Sequence, residues 1–167
     1  MKDMTRKNLQ DAFAGESQAH LRYLVYAEAA EREGLANVAR LFRAASFSEQ
    51  IHATNHLRNL GGVTNTANHL RAGADGENFE VKEMYPAYIA VAEAQEEKGA
   101  LRSMSNAMEA EKVHFKLYTQ SQTSVDAKKD AELPTIYVCE SCGYTMEGDP
   151  PERCPICGAV HTRFRKF

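Results

Sequence analysis

Two short motifs decide the fold of this chain: Glu49-Gln-Ile-His52 and Glu111-Lys-Val-His114. Each places a carboxylate and an imidazole three residues apart, and residues at i and i+3 share one face of an α-helix. The surrounding residues 5–130 are rich in Ala, Glu, Leu, Arg and Lys, which favour helix. The motifs therefore predict two helices, each of which directs one Glu and one His toward the same point.

Breaks in the helical pattern divide this region into hairpins. The segments Ala27-Glu-Ala-Ala-Glu-Arg-Glu-Gly34 and Ala92-Glu-Ala-Gln-Glu-Glu-Lys-Gly99 are alike, and each glycine predicts a turn before the next helix. Gly61-Gly62 is a longer break, and residues 61–78 show no clear helical pattern before helix resumes by Glu80. We predict an all-α four-helix bundle built from two hairpins.

The C-terminal residues have a different composition. Thr135-Ile-Tyr-Val138 is β-branched and aromatic, and Gly and Pro recur after it. A segment this short cannot hold a fold by apolar burial alone, so a metal must supply much of its stability. We predict a helical domain over residues 1–132 and a small β-rich metal domain over residues 133–167.

Four cysteines lie in that small domain, as two Cys-x-x-Cys pairs: Cys139, Cys142, Cys154 and Cys157. In a reducing compartment such pairs indicate metal ligands rather than disulfides. Two facing pairs make a tetrahedral pocket of four sulfurs that suits zinc or a single iron, and the spacing does not choose between them. Gly143 and Gly158 follow the pairs, where positive φ lets backbone N–H groups approach the sulfurs.

Further acidic residues lie on the predicted partner helices. At about 1.5 Å per residue from the predicted turns, Glu16 is level with Glu49, and Glu83, one turn after Glu80, is level with Glu111. Carboxylates that meet in a core repel one another unless cations neutralise them. Carboxylate and imidazole together suit iron or manganese better than zinc. One motif alone fits a solvated helix surface, but two motifs, each opposite a Glu, favour a metal site.

Other polar side chains lie beside these motifs. Tyr23 is seven residues after Glu16, so its hydroxyl can donate a hydrogen bond to a metal ligand. For Tyr118, four residues after His114, ordinary packing in the bundle competes with that role. We expect His20 at the surface.

The overall composition excludes several classes of function. The chain has 167 residues and a formal net charge of −3, without the basic excess of a general nucleic-acid binder. No apolar stretch is long enough to span a bilayer, and the N-terminus has no apolar core of signal-peptide length. We expect a cytoplasmic protein that binds neither nucleic acid nor membrane.

A carboxylate–histidine site followed by a four-cysteine site makes the chain resemble the rubrerythrin family, in which a ferritin-like di-iron bundle precedes a rubredoxin-like domain. The resemblance rests on both Glu-x-x-His motifs, on Cys-x-x-Cys-Gly-Tyr and Cys-Pro-x-Cys-Gly, on Phe13-Ala-Gly-Glu-Ser-Gln-Ala19 and on Glu80-Val-Lys-Glu-Met-Tyr-Pro86. It implies two irons in the bundle and one iron at the four cysteines.

The resemblance also implies a role for each ligand. Glu49 and Glu111 correspond to the carboxylates that bridge the two irons. Glu16 would be terminal on one iron with His52, and Glu80 on the other with His114. Glu83 matches an extra carboxylate of the family, which one iron exchanges for the His of the first motif, here His52, as the pair is reduced. These two would be the catalytic residues.

The implied activity is reduction of hydrogen peroxide to water, which protects against oxidative stress. Electrons would come from a reduced pyridine nucleotide through a separate reductase or rubredoxin, and would enter at the cysteine-bound iron. The family also implies a homodimer in which the four-cysteine domain of one chain lies near the bundle of the other.

Two other functions fit parts of the pattern. A ferroxidase or iron-handling protein would use the same bundle, but Glu83 argues against it because the extra ligand accompanies peroxide specialisation in the family. A binding module with a structural zinc ribbon would use only the cysteines, and it predicts a colourless protein.

Overall fold

The structure, a computed structural model, describes all 167 residues. Its helices are α1 (Asp3–Arg32), α2 (Ala36–Asn59), α3 (Thr66–Phe79), α4 (Tyr85–Ala94) and α5 (Lys98–Asp126). A π-helical turn, Glu80–Met84, joins α3 to α4 without a break in helical backbone, so the chain has four helical stretches. None of the helices combines the length and the apolarity needed to cross a bilayer.

Three short strands follow the helices: β1 (Ile136–Cys139), β2 (Thr145–Glu147) and β3 (Phe164–Lys166). They form one antiparallel sheet in the order β2-β1-β3, in which Val138 is opposite Thr145 on one side and Arg165 on the other. Four helical stretches followed by a small sheet confirm the predicted fold class.

The chain forms two compact units, Met1–Thr64 and Asn65–Phe167. The first unit is the hairpin of α1 and α2. The second contains α3, the π turn, α4, α5 and the sheet. The division at residues 132 and 133, which separates helical from β-rich composition, stays a prediction.

Small side chains form the contact between α1 and α2. Ala39, Ser46 and Ala53 recur every seven residues on α2 and are buried, as are Ala27 and Ala30 on α1. A seven-residue repeat keeps one face of a helix toward its partner, and small residues there let the two backbones approach closely.

Ser46 also explains the position of His20, which we expected at the surface. The Ser46 hydroxyl donates to the His20 carbonyl oxygen at 2.9 Å, and His20 Nδ1 lies 2.9 Å from the same hydroxyl oxygen. His20 is therefore half-buried in the contact between the two helices, where it provides hydrogen-bond partners for the buried Ser46 hydroxyl.

Enlarging Ala39 is expected to destabilise the first unit. Ala39 has 0% exposure, so the extra volume of Ala39→Leu must push α1 away, at a cost of about 1–3 kcal/mol. Urea unfolding followed by circular dichroism measures this, with Ala44→Leu, at an exposed position of α2, as the control. If the two variants were equally stable, the contact of small side chains between α1 and α2 would not be what stabilises the hairpin.

The second unit differs from the sequence prediction in two places. Helix α3 occupies residues 66–79, where we saw no clear pattern, and the Asn65 side chain caps it by accepting from the Asn68 backbone N–H at 2.9 Å. Gly73 lies within α3 and provides close packing, since a Cβ there would lie 3.0 Å from the Tyr118 ring. The turn predicted at Gly99 lies a few residues earlier, where Glu96 has φ +59°.

Candidate metal centres

The first cluster joins α1 to α2 within the first unit. It consists of Glu16, Glu49 and His52, whose ligand atoms all lie within 4.8 Å of one another. His52 Nδ1 is 2.7 Å from Glu49 Oε2 and 3.9 Å from Glu16 Oε1. The short connection between the two helices fixes their relative height. Glu16 and Glu49, which the helical rise puts at the same height, therefore lie close together, and His52 lies beside them.

The second cluster joins α3 to α5 within the second unit. It consists of Glu77, Glu111 and His114, with ligand atoms within 4.8 Å of one another. His114 Nδ1 is 2.7 Å from Glu111 Oε2 and 3.7 Å from Glu77 Oε1. Glu111 and His114 were predicted from their motif, but Glu77 was not.

The sequence did carry a signal for Glu77. Glu77, Glu80 and Glu83 follow one another at three-residue spacing, so any of them could face α5. The π turn begins at Glu80, and its wider turn breaks the α-helical spacing on which the prediction rested. Glu80 borders the second cluster, and Glu83 belongs to neither cluster. Their roles as iron ligands stay predictions.

Crowding of carboxylates perturbs the second cluster. Burial, together with the nearby charge of Glu111, raises the pKa of Glu77 to about 7. The same two causes raise the pKa of Glu80. Acidic groups held this close disfavour ionisation without a cation, and a cation bound by oxygen and imidazole donors relieves the repulsion. The donor set of each cluster therefore fits iron.

The stability of the metal-free protein is expected to depend on Glu77. Its pKa is about 7 in the folded chain against an ordinary 4.5, so between these values the folded state holds a proton that the unfolded state releases. Stability should fall as pH rises from about 4.5 to about 7, by up to about 3 kcal/mol. Urea unfolding of chelator-treated protein at several pH values measures the slope.

The matched variants for this measurement are Glu77→Gln and Glu93→Gln. The first should flatten the pH dependence because it removes the titrating group, and the second, at an exposed position of α4, should leave it unchanged. A wild-type chain that gains stability over this pH range would contradict the prediction.

The third site is the predicted pocket of four cysteines, whose sulfurs all lie within 4.8 Å of one another. Cys139 Sγ is 3.8 Å from Cys157 Sγ, and Cys142 Sγ is 3.7 Å from Cys154 Sγ. Gly143 and Gly158 have φ of +80° and +76°, which confirms the predicted backbone at both turns.

Backbone N–H groups surround the sulfurs of this pocket. Burial raises the pKa of the Cys139 thiol, but hydrogen bonds from the N–H groups of Ser141 and Cys142 outweigh it, so the pKa lies below its ordinary value. The N–H of Tyr144 bonds Cys142 and that of Ala159 bonds Cys157. Donors aimed at sulfur stabilise bound thiolates and tune the redox potential of a metal there.

Three tyrosines lie near the two carboxylate clusters or their helices. Tyr23 packs in an aromatic group with Tyr26 and Phe42, with ring centroids 6.3 and 6.0 Å away, and its hydrogen bond to a metal ligand stays a prediction. Tyr118 lies beside His114, with ring centroids 6.5 Å apart. Burial and, to a smaller extent, the charges of nearby carboxylates raise the pKa of both Tyr118 and Tyr85. Tyr85 was not among the residues predicted from the sequence.

A carboxylate–histidine cluster in each helical unit and a four-cysteine pocket in an appended sheet are typical of a metalloprotein with two kinds of metal site. Residues 7–121 match the family model described as Rubrerythrin, and residues 137–165 match the model described as Rubrerythrin, rubredoxin-like domain. The chain belongs to the rubrerythrin family.

Relatives of known name support this assignment over nearly the whole chain. Rubrerythrin-2 of Clostridium acetobutylicum is 40% identical, over 98% of this chain and 97% of its own length. Nigerythrin of Nitratidesulfovibrio vulgaris is 32% identical, over 92% of this chain and 81% of its own. Structures of nigerythrin in a mixed-valence and a fully reduced, all-ferrous state cover 98% of this chain and 86% of theirs, with TM-scores of 0.55 and 0.56 and identities of 31% and 30%.

Family membership and the donor sets together define the cofactors. Two irons belong to the carboxylate–histidine residues, and one iron belongs to the four cysteines. The protein is thus an iron-based oxidoreductase, and the zinc ribbon left open by the cysteine spacing is not its second domain.

Proposed function

We propose that this chain is a cytoplasmic peroxide reductase, which reduces hydrogen peroxide to water and protects against oxidative stress. Its electrons would come from NAD(P)H through a separate reductase or rubredoxin and enter at the cysteine-bound iron. The observation that carries the proposal is the presence in one chain of two carboxylate–histidine clusters, suited to a two-electron reaction, and a four-cysteine pocket, suited to one-electron relay.

The proposed ligands follow the family resemblance. Glu49 and Glu111 would bridge the irons, with Glu16 and His52 terminal on one iron. Glu80 and His114 would be terminal on the other. Glu83 and His52 would exchange on one iron during turnover. The clusters contain five of these seven residues, and Glu77 adds a carboxylate that the resemblance does not assign.

The chemistry needs two electrons and two protons for each peroxide converted to two waters. When bound, the two irons supply the electrons and stabilise the oxide charge that develops as the O–O bond breaks. Tyr85 and Tyr118 hold their protons, because burial and the neighbouring carboxylates raise the pKa of both phenols. Their hydroxyls are therefore hydrogen-bond donors at neutral pH beside the second cluster.

The choice of oxidant tests this function. Protein reduced under anaerobic conditions should reoxidise far faster with one equivalent of hydrogen peroxide than with air-saturated buffer, as measured by stopped-flow absorbance. The Glu83→Ala variant should lose this advantage. A wild-type protein that reacts faster with dioxygen, or a variant that keeps full peroxidase turnover, would favour an iron-oxidising role instead.

A homodimer is part of the proposal. Large apolar side chains on the first unit stay exposed, among them Leu21, Leu41 and Phe47 at 64%, 66% and 63%. Exposed apolar area of this kind is typical of a surface that another chain covers, and a second copy is the occupant that the family implies.

A further inference from the structure

The four-cysteine module, which consists of β1, β2, β3 and the two Cys-x-x-Cys turns, has one accessible edge. The first cysteine of each pair, Cys139 and Cys154, is buried, with exposures of 0% and 3%. The second cysteine of each pair can be reached from outside, since Cys142 is half-buried and Cys157 is exposed. Other molecules therefore approach a metal in this pocket at the side of Cys142 and Cys157, which we call the open edge.

One exposed arginine is held on each turn of the open edge. Arg153 donates from its guanidinium group to the carbonyl oxygen of Gly158, in the turn of the second cysteine pair, at 3.1 Å. Arg163 donates from Nε to the hydroxyl oxygen of Ser141, in the turn of the first pair, at 3.4 Å. The two guanidinium groups thus lie beside the two turns that carry the accessible sulfurs.

The positive charges of these two arginines are not neutralised by ion pairs. Their hydrogen bonds go to a carbonyl and to a hydroxyl oxygen, and Glu152, next to Arg153 in the chain, forms no ion pair with it. The third arginine of the module differs, because Arg165 pairs with Glu140 at 3.6 Å. Uncompensated charge on a surface attracts a partner of opposite charge and speeds its association.

We propose that the open edge is the docking surface for the electron-donating partner, and that this partner is a protein with carboxylates around its own redox centre. The inference rests on the proposed function, and it adds the surface that the donor meets and the charge that the donor carries there. Arginine suits this contact, because its planar guanidinium group can donate two parallel hydrogen bonds to one carboxylate. A donor bound to both arginines would hold its redox centre over the two accessible sulfurs.

The docking serves a one-electron step without bond changes. The reduced centre of the donor loses one electron, a ferric ion at the four cysteines gains it and becomes ferrous, and no proton moves. The donor must then leave before the next transfer. A small electrostatic contact, which forms quickly and also dissociates quickly, suits such repeated encounters better than a large apolar interface.

Reduction of the cysteine iron by an acidic donor protein tests the proposal. Oxidised, iron-loaded protein is mixed anaerobically with reduced flavodoxin of net negative charge, and stopped-flow absorbance follows the loss of the ferric thiolate bands. Arg153→Gln and Arg163→Gln should each lower the second-order rate constant about 2–5-fold, and the double variant about 5–20-fold, the loss expected from exposed charge pairs. Added salt should slow the wild-type reaction and affect the double variant less.

Two further variants separate docking from a structural role of the arginines. Arg153→Lys and Arg163→Lys keep the charge and should retain most of the wild-type rate, whereas rates as low as those of the Gln variants would show that the arginines only hold the turns. Lys166→Gln is the matched control, because Lys166 is exposed, lies opposite Tyr137 on β3 and carries the same charge. A loss as large in this control would place the effect on net charge instead of the open edge.

Reduced methyl viologen, a small cation, is the second reductant. The double Gln variant should accept electrons from it at least as fast as the wild type does, because no attraction is lost. Equal slowing with both reductants, or a wild-type rate with flavodoxin that does not respond to salt, would overturn the proposal.

Light scattering on the same samples distinguishes the donor from a second copy of this chain as the occupant of the open edge. The double Gln variant should keep the oligomeric state of the wild type. If it dissociated and still reacted with flavodoxin at the wild-type rate, the edge would be an interface between copies and the proposal would be wrong. None of these measurements uses peroxide, so their outcome is independent of whether the protein reduces it.

Discussion

Glu111→Ala is expected to abolish peroxide reduction and to leave the visible absorption of the cysteine iron unchanged. Glu111 contacts His114 Nδ1 at 2.7 Å, and its charge adds to the effect of burial in raising the pKa of both Glu77 and Glu80, so it is central to the second cluster. Losing it should cost more than the about 10–100-fold that follows loss of a ligand's outer partner. Iron content and steady-state turnover, measured on the same sample, check the result.

The control for this variant is Glu109→Ala. Glu109 lies on the same helix, is exposed and pairs with Lys112 at 2.6 Å, so its removal should change turnover little. If Glu111→Ala kept wild-type turnover with two irons in the clusters, Glu111 would not be a ligand and the assignment of the second cluster would be wrong.

Cys154→Ser is expected to separate electron delivery through the cysteine iron from peroxide reduction at the carboxylate–histidine clusters. Cys154 is 3% exposed, and its sulfur lies 3.7 Å from that of Cys142, so serine removes a ligand that nothing nearby can replace. The module should lose its iron and its sheet, because metal binding in so small a domain supplies folding free energy. Turnover with an electron donor should stop, yet clusters reduced chemically should still be reoxidised once by peroxide.

Ser141→Ala is the comparison for the cysteine variant. Only the backbone N–H of Ser141 serves the pocket, and the substitution keeps that group, so iron content and turnover should stay close to wild type. Undiminished donor-driven turnover in Cys154→Ser would show that electrons reach the clusters by a route that avoids the cysteine iron.

The site residues that the sequence predicted best are those brought together by a short connection between helices or by a tight turn. Glu16, Glu49 and His52 lie on helices linked by a short turn, so the rise of a helix places them at one height. The four cysteines lie within two tight turns, and the positive φ of Gly143 follows from the turn itself.

The features that sequence did not predict depend on irregular backbone or on tertiary packing. Glu77 enters its cluster beside a π turn, which no α-helical spacing rule describes. Helix α3 contains a glycine whose purpose is visible only once Tyr118 packs against it. The bond between His114 and Thr145 joins residues 31 positions apart, and it exists because the sheet packs on α5.

Diffraction from crystals of the iron-loaded protein, recorded at the iron absorption edge, tests the central claim most directly. The account predicts one peak among the four cysteine sulfurs and two further peaks bound by the carboxylates and imidazoles of the two clusters. Clusters that bind no iron, with Glu49 and Glu111 turned to solvent, would contradict it, whatever metal the cysteines hold.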